Sequence, residues 1–249
     1  MGLHPLAANF VEVADAYERG RPEYTPAVAE TIAAELHIAP GARVLDLAAG
    51  TGKLTRALLG ADLDVIAVEP QAQLRDILAA SVGVEHALDG FAEAIPLPDA
   101  SVDAVTVADA FHWFDQAAAL REIQRVLIAG GGLAVLRILP DWSDASWAHQ
   151  VGGMIAGFGR EHPQFQGPHW QDTARAESCW TEPRQVQLTM RQPAGPDVVL
   201  DYIASMSWIA ALPDDQRTET MTRIGEIIAA GETPDELPIH VTVGLTSLA

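Results

Sequence analysis

Between Val44 and Thr55 the chain reads VLDLAAGTGKLT: an apolar run with an acid inside it, then small residues at every second position. A buried strand that runs straight into glycines and then into a helix fits few architectures. Glycine lets a backbone turn tightly there and lie close against a ligand. The rest of the chain keeps the same alternation. ARVLDLA (Ala42–Ala48), LDVIAV (Leu63–Val68), VGVEHAL (Val82–Leu88), DAVTVAD (Asp103–Asp109) and LAVLRIL (Leu133–Leu139) read as strands. LTRALLG, QAQLRDILAA and AALREIQRVL between them read as helices, the last ended by Gly130-Gly131-Gly132. Strands apolar along their length and separated by helices predict a parallel sheet covered on both faces.

After Pro140 the pattern changes. Asp141 to Pro183 holds Trp142, Trp147, Phe158, Phe165, Trp170 and Trp180 with His149, His162 and His169, and its periodicity is weak. Such a stretch is expected to be a cap on the main body. RQVQLTMR then resumes as a strand, a helix follows over Pro196–Ala211 and another over Asp214–Ala230, and ELPIHVTVGLTSL closes as a strand. The expectation is one domain, divided at residues 1–40, 41–139, 140–183 and 184–249 into amino-terminal helices, core, cap insertion and completion of the sheet.

Charge narrows the partners. With 34 Asp+Glu against 15 Lys+Arg, the formal charge of −19 repels phosphate backbones, so no nucleic-acid partner is expected. The one cysteine, Cys179, rules out an internal disulfide and most cysteine-based metal sites, and the spacing of the three cap histidines suits no compact ligand pair. The first residues lack a basic region followed by an apolar run, and no stretch approaches the ~20 apolar residues that span a bilayer. A cytoplasmic protein without membrane contact is the expectation.

Spacing decides what the glycines serve. A Walker A loop needs Gly, four residues, then Gly-Lys-[Ser/Thr]; here Leu54 follows Gly52-Lys53, and Leu47 stands where the first glycine belongs. The dinucleotide fingerprint needs Gly-x-Gly-x-x-Gly, and Thr55 occupies the third place. What remains is Asp46-x-Ala48-x-Gly50-x-Gly52. This resembles the first motif of class I S-adenosylmethionine-dependent methyltransferases, with Ala48 in place of the first glycine, a mild departure if the backbone there keeps a negative φ. The cofactor carries no phosphate, which suits a loop without a basic anion cradle.

Further segments carry the same resemblance. Glu69, with Pro70 after it, ends the second strand, where a carboxylate can accept from both ribose hydroxyls. GFAEAIPLPDASVDAVTVADAFHWFD resembles the third and fourth motifs of the type-11 group. By that likeness Ala92 and Glu93 lie against adenine, and Ala108 and Asp109 line the methionine end of the cofactor. Phe91 replaces the Asp that many relatives place before the Ala. AYERGRPEY (Ala16–Tyr24) and SMSWIAALPDDQR (Ser205–Arg217) resemble small-molecule methyltransferases similar to trans-aconitate methyltransferase. The family pattern implies that Tyr17 and Arg21 close over the cofactor, Arg21 near its carboxylate, and that Asp46 orients the loop or meets the ammonium. It implies a Rossmann-like seven-stranded α/β sheet, mostly parallel with an antiparallel last strand, helices on both faces and a helical cap.

The resemblance implies S-adenosyl-L-methionine as cofactor, S-adenosyl-L-homocysteine as product and a small-molecule acceptor, O-methylated on a carboxylate or hydroxyl. Since the sulfonium is already a good donor, the protein mainly aligns the nucleophile. A carboxylate needs no base at neutral pH. A hydroxyl gains from one, and His112, just after the fourth strand, is the candidate if it does not merely pack in an aromatic corner. Tyr24, Trp113 and Trp142 are the candidate acceptor contacts. An RNA or protein methyltransferase and a non-catalytic S-adenosylmethionine-binding protein share the core and stay open, as does the oligomeric state.

Overall fold

The computed structural model describes residues 4–8, 10, 13–159, 162–165 and 169–249. Seven strands form one sheet: β1 (Arg43–Leu47), β2 (Asp64–Val68), β3 (Ala87–Leu88), β4 (Val102–Ala108), β5 (Leu127–Pro140), β6 (Arg184–Pro193) and β7 (Glu236–Ser247). Their order is β3-β2-β1-β4-β5-β7-β6. All pairings from β3 to β5 are parallel, while β7 runs antiparallel to both β5 and β6. Six strands thus share one direction and β7 opposes them. The order reverses between β1 and β4, and the carboxyl ends of strands beside such a switch point are where open α/β sheets bind ligands.

The helices are α1 (Pro5–Ala8), α2 (Ala14–Gly20), α3 (Pro26–Glu35), α4 (Lys53–Gly60), α5 (Ala72–Val82), α6 (Gln116–Val126), α7 (Ala148–Phe158), α8 (Trp170–Arg175), α9 (Pro196–Ala204), α10 (Ser207–Ala210) and α11 (Asp214–Ala230). Side chains alternate across the strands, so each strand feeds two cores. Leu45, Val105, Leu133 and Val135 pack under α6 and α8. Val44, Ala104, Ala134 and Leu136 pack under α3 and α4. A third cluster, Trp147, Val151, Ile203, Ile209, Ile224 and Ile228, is built by α7 and α9–α11 and forms the cap. None of the helices among the described residues is long and apolar enough to cross a membrane.

Three element expectations change. VGVEHAL forms a 3₁₀ turn over Val84–His86 and leaves β3 only two residues, because Gly83 holds φ +98°. The triple glycine does not cap α6. Leu127 turns extended at once, and Gly130, with φ +75°, lies in an irregularity of β5, whose pairing with β4 jumps from Leu127 to Gly132. The helix over Pro196–Ala211 is broken at Ser205-Met206, where Met206 is extended. The tryptophan-rich stretch is also divided: Trp142 and Trp147 join the cap, whereas Trp170 and Trp180 pack against the sheet.

Candidate active site

A cavity of about 750 Å³ opens at the carboxyl ends of the parallel strands, roofed by α2 and the cap. Its floor begins with the β1–α4 loop. Ala48, Gly50 and Gly52 have φ of +57°, +60° and +90°, so every second residue of the loop is left-handed. The expected mild departure at Ala48 is therefore a real one: an alanine sits where L-residues are disfavoured by about 1–2 kcal/mol. The three small residues serve different ends. Ala48 and Gly50 line the cavity, and the direction of a Cβ on Gly50 is open space. Gly52 does not reach the cavity, since a Cβ there would strike Leu78 of α5.

Two carboxylates brace this loop. Asp46, almost fully buried, accepts from Thr55 Oγ1 at 2.6 Å and Thr106 Oγ1 at 3.0 Å, and burial pushes its pKa up to about 6. It therefore ties β1 to α4 and β4. Glu69 accepts from Gly50 N through Oε2 and from Gln71 N through Oε1, both at 2.9 Å. Burial raises its pKa to about 7, and those two backbone hydrogen bonds work against the rise. A carboxylate has about four lone-pair sites, so two remain for hydroxyls in the cavity.

Pro70, Phe91, Ala92 and Glu93 continue the wall beyond β2 and β3. Glu93 Oε1 accepts from Asp115 N at 2.9 Å, which fixes the turn after β4. Phe91 and Leu74 make this end apolar.

At the other end, Tyr17, Arg21, Ala108 and Asp109 line the wall. Arg21 is half-buried. Its Nε donates to Ser205 Oγ at 2.9 Å and its guanidinium lies 4.4 Å from the Tyr202 ring centre. Asp109 has φ +50° and accepts from Ile138 N at 3.3 Å, and burial raises its pKa to about 6 against the pull of Arg21 and Arg137. No ion pair joins Arg21 to Asp109 among the described residues. The cavity thus keeps a half-buried guanidinium and a half-buried carboxyl apart.

His112 follows in a 3₁₀ turn, its ring 4.5 Å from Trp113 and 5.2 Å from His162. Burial, then the charges of His162, Arg137 and His4, push its pKa down to about 3. His162 is braced by two hydrogen bonds. Its Nδ1 accepts from Gln164 N, so the proton of the neutral ring sits on Nε2 and is donated to Ser207 Oγ at 2.9 Å. Trp113 and Trp142 line the cavity; Tyr24 does not. Tyr24 is packed with Asp46 and Lys53 around a small adjoining cleft, because α3 begins just after it and draws the ring toward the sheet. Arg137, Gln164, Ser207 and Trp208 also line the main cavity and went unnoticed in the sequence. Only Arg137 carried a signal, as a charge interrupting an otherwise apolar strand.

A parallel sheet of this order, with a glycine loop after β1, an acid closing β2 and a ligand cavity over both, is the architecture of class I S-adenosylmethionine-dependent enzymes. A family model described as a methyltransferase domain matches residues 45–135. An uncharacterized methyltransferase of Mycobacterium tuberculosis is 37% identical over 224 residues, 90% of this chain and 87% of that one. A demethylmenaquinone methyltransferase of Thermotoga maritima is 32% identical over 46% of this chain and 56% of its own length. Among solved structures, the YcgJ protein of Bacillus subtilis superposes with a TM-score of 0.54 at 18% identity, covering 88% of this chain and 97% of that one. The chain belongs to the class I S-adenosylmethionine-dependent methyltransferases of the type-11 group. Its methyl donor is S-adenosylmethionine.

Proposed function

We propose that the enzyme methylates a small-molecule acceptor on oxygen, with a carboxylate favoured over a hydroxyl. The observation that carries this reading is the setting of His112, where burial and the neighbouring cations hold the imidazole far below its ordinary basicity. His112, with its pKa near 3, is too weak to take a proton from a hydroxyl at neutral pH. A carboxylate is already ionised and gives up no proton, so the residues around it need only bind, orient and exclude water. Cavity size supports a small acceptor, since about 750 Å³ lies within the ~300–1,000 Å³ of small-molecule sites. The Thermotoga relative, named for a quinone acceptor, supports a small molecule in general terms.

In this reading the bound cofactor supplies an activated methyl group on a sulfonium. Gly50 lets the backbone pass beneath it, Glu69 accepts from the ribose hydroxyls, and Phe91, Ala92 and Leu74 pack against adenine. Arg21 takes the carboxylate and Asp109 the ammonium. Tyr17 and the cap exclude water, and His112 and Trp113 form an apolar wall that orients the acceptor. A screen with labelled S-adenosylmethionine tests the proposal, using small carboxylic acids, their alcohol counterparts, phenols, bulk RNA and protein. Methyl esters formed from the acids are expected. Label entering only RNA or protein overturns the proposal.

A further inference from the structure

We propose that Arg137, held by Gln164, is the seat of a carboxylate on the acceptor, and that the acceptor carries this acid on an apolar frame. The inference deepens the small-molecule reading above and rests on it. β5 explains why this arginine stands in the open. Side chains at alternate positions share a face, and Leu133 and Val135 on that face are buried under the helix layer. Two residues on, Arg137 has passed the end of that cover, and its exposed side chain lines the cavity.

Its electrostatic setting is unusual for this chain. Acids outnumber Lys+Arg by more than two to one, and arginines elsewhere, such as Arg43, Arg125 and Arg175, pair with carboxylates. Arg21 and Arg137 are the only guanidiniums lining the main cavity among the described residues, and neither has a carboxylate within ion-pair distance. Arg21 is held at the methionine end by Ser205 and Tyr202. Arg137 is different. With the amide of Gln164 turned so that its oxygen faces the guanidinium, that oxygen accepts from Nε at 3.2 Å and Nη2 at 2.6 Å. The interaction fixes the plane without neutralising the charge, and it leaves Nη1 with no partner among the described residues.

Gln164 is itself anchored, because its backbone N–H bonds to His162, which bonds to Ser207 of the cap. A guanidinium locked in plane and still charged presents the fork that matches a carboxylate. It stands on the same cavity as His112 and Asp109, and its charge is felt by both. The apolar frame follows from the neighbours. Leu139, next on the same face of β5, and Phe165 beyond Gln164 are 56% and 58% exposed, and both line the same cavity. An acid seated on Arg137 would cover them.

The test uses the full chain saturated with S-adenosylhomocysteine. Calorimetry would compare cinnamate and salicylate with cinnamamide and salicylamide, with inorganic phosphate as a further probe. In wild type the acids are expected to bind on the order of tenfold or more tighter than their amides, the worth of a charge-assisted pair, with phosphate weaker than either acid. R137Q should erase the preference for acids, R137K should keep part of it, and R191Q, which removes the same charge from the β6 surface, should keep all of it. Equal binding of acids and amides by wild type, including no binding of either, overturns the proposal. So does an R137Q protein that still prefers acids, or phosphate binding as tightly as the acids. Failure of S-adenosylhomocysteine to bind in the first step would instead count against the assignment of the cofactor end.

Discussion

The two ends of the cavity are built from different materials. At the β1–β2 end the cavity is lined by backbone: a loop left-handed at alternate residues, with Glu69 joining its Gly50 amide to the Gln71 amide after β2. At the β4–β5 end it is lined by side chains brought from five separated segments, namely Arg21 on the amino-terminal side, His112, Arg137, His162 with Gln164, and Ser207 of the cap. Backbone sites tolerate little change because the chain path itself is the binding surface. Side-chain sites can change partner specificity one residue at a time while the donor end stays fixed. A single scaffold can in this way serve many acceptors.

The sharpest way to break this contrast is to fill the backbone cradle. Gly50→Val places a branched side chain in the open direction above the loop and also strains φ. S-Adenosylhomocysteine affinity is expected to fall at least about a hundredfold, roughly 2.7 kcal/mol, with circular dichroism unchanged. Retained affinity would mean that the loop only makes the turn. Next comes Glu69→Ala, expected to weaken the same ligand by about 1.5–3 kcal/mol, the range for charge-assisted hydrogen bonds. An unaltered calorimetric titration would remove Glu69 from the ribose site.

Acidity gives a third, smaller handle on the donor end. Burial raises Glu69 from an ordinary 4.5 to about 7 and Asp109 from 3.8 to about 6. Carboxyls raised in the folded state contribute stability that is fully present below their unfolded pKa values. That contribution is lost as pH climbs through about 6 to 7. A ligand whose hydroxyls and ammonium favour the ionised carboxylates reverses this penalty. Affinity for S-adenosylhomocysteine should therefore rise on the order of tenfold between pH 5 and pH 7, and heats measured in buffers of different ionisation enthalpy should report proton release. A flat profile would separate both acids from the ligand.

The acceptor end should respond in the opposite sense. His112→Gln is expected to leave cofactor affinity within about twofold and to raise the acceptor KM by up to about tenfold, an effect on uniform binding. Because the imidazole stays neutral above pH 4, wild-type kcat should show no His112 ionisation between pH 6 and 9. A clear inflection near pH 6.5 that vanishes in the variant would restore the base role.

What could be read in the sequence divides along the same line. The strands of the sheet, the loop and the acid after β2 are local: each lies within a few residues of its own signal, and burial by period sets the rest. Gly52 and Tyr24 show the limit of this reading, since motif spacing names a position but not the direction in which it faces. Arg137, Gln164 and Ser207 meet only because the cap folds over β5, and no spacing in the chain encodes that encounter. Ala48 shows a further limit, because no alanine in a sequence announces a positive φ. The low basicity of His112 was likewise hidden, since it depends first on burial and then on His162, Arg137 and His4, all distant in the chain.

Helix α2 is lashed down on both sides. Lys53 and Arg56 of α4 grip Glu18 and Glu23, while Arg19 holds Asp201 of α9. At Gly20 the backbone is so close to Tyr202 that a Cβ would overlap it. The roof is therefore a wedge shared by the donor end and the cap, not a flap hinged on either. If spent product leaves past Tyr17 and Arg21, it has to loosen a cluster of charges in which Arg19 and Glu23 face water and Lys53 is buried. If departure limits turnover, catalysis should quicken as added salt screens that cluster, and the clock of the enzyme would be set by its fastenings rather than by its chemistry.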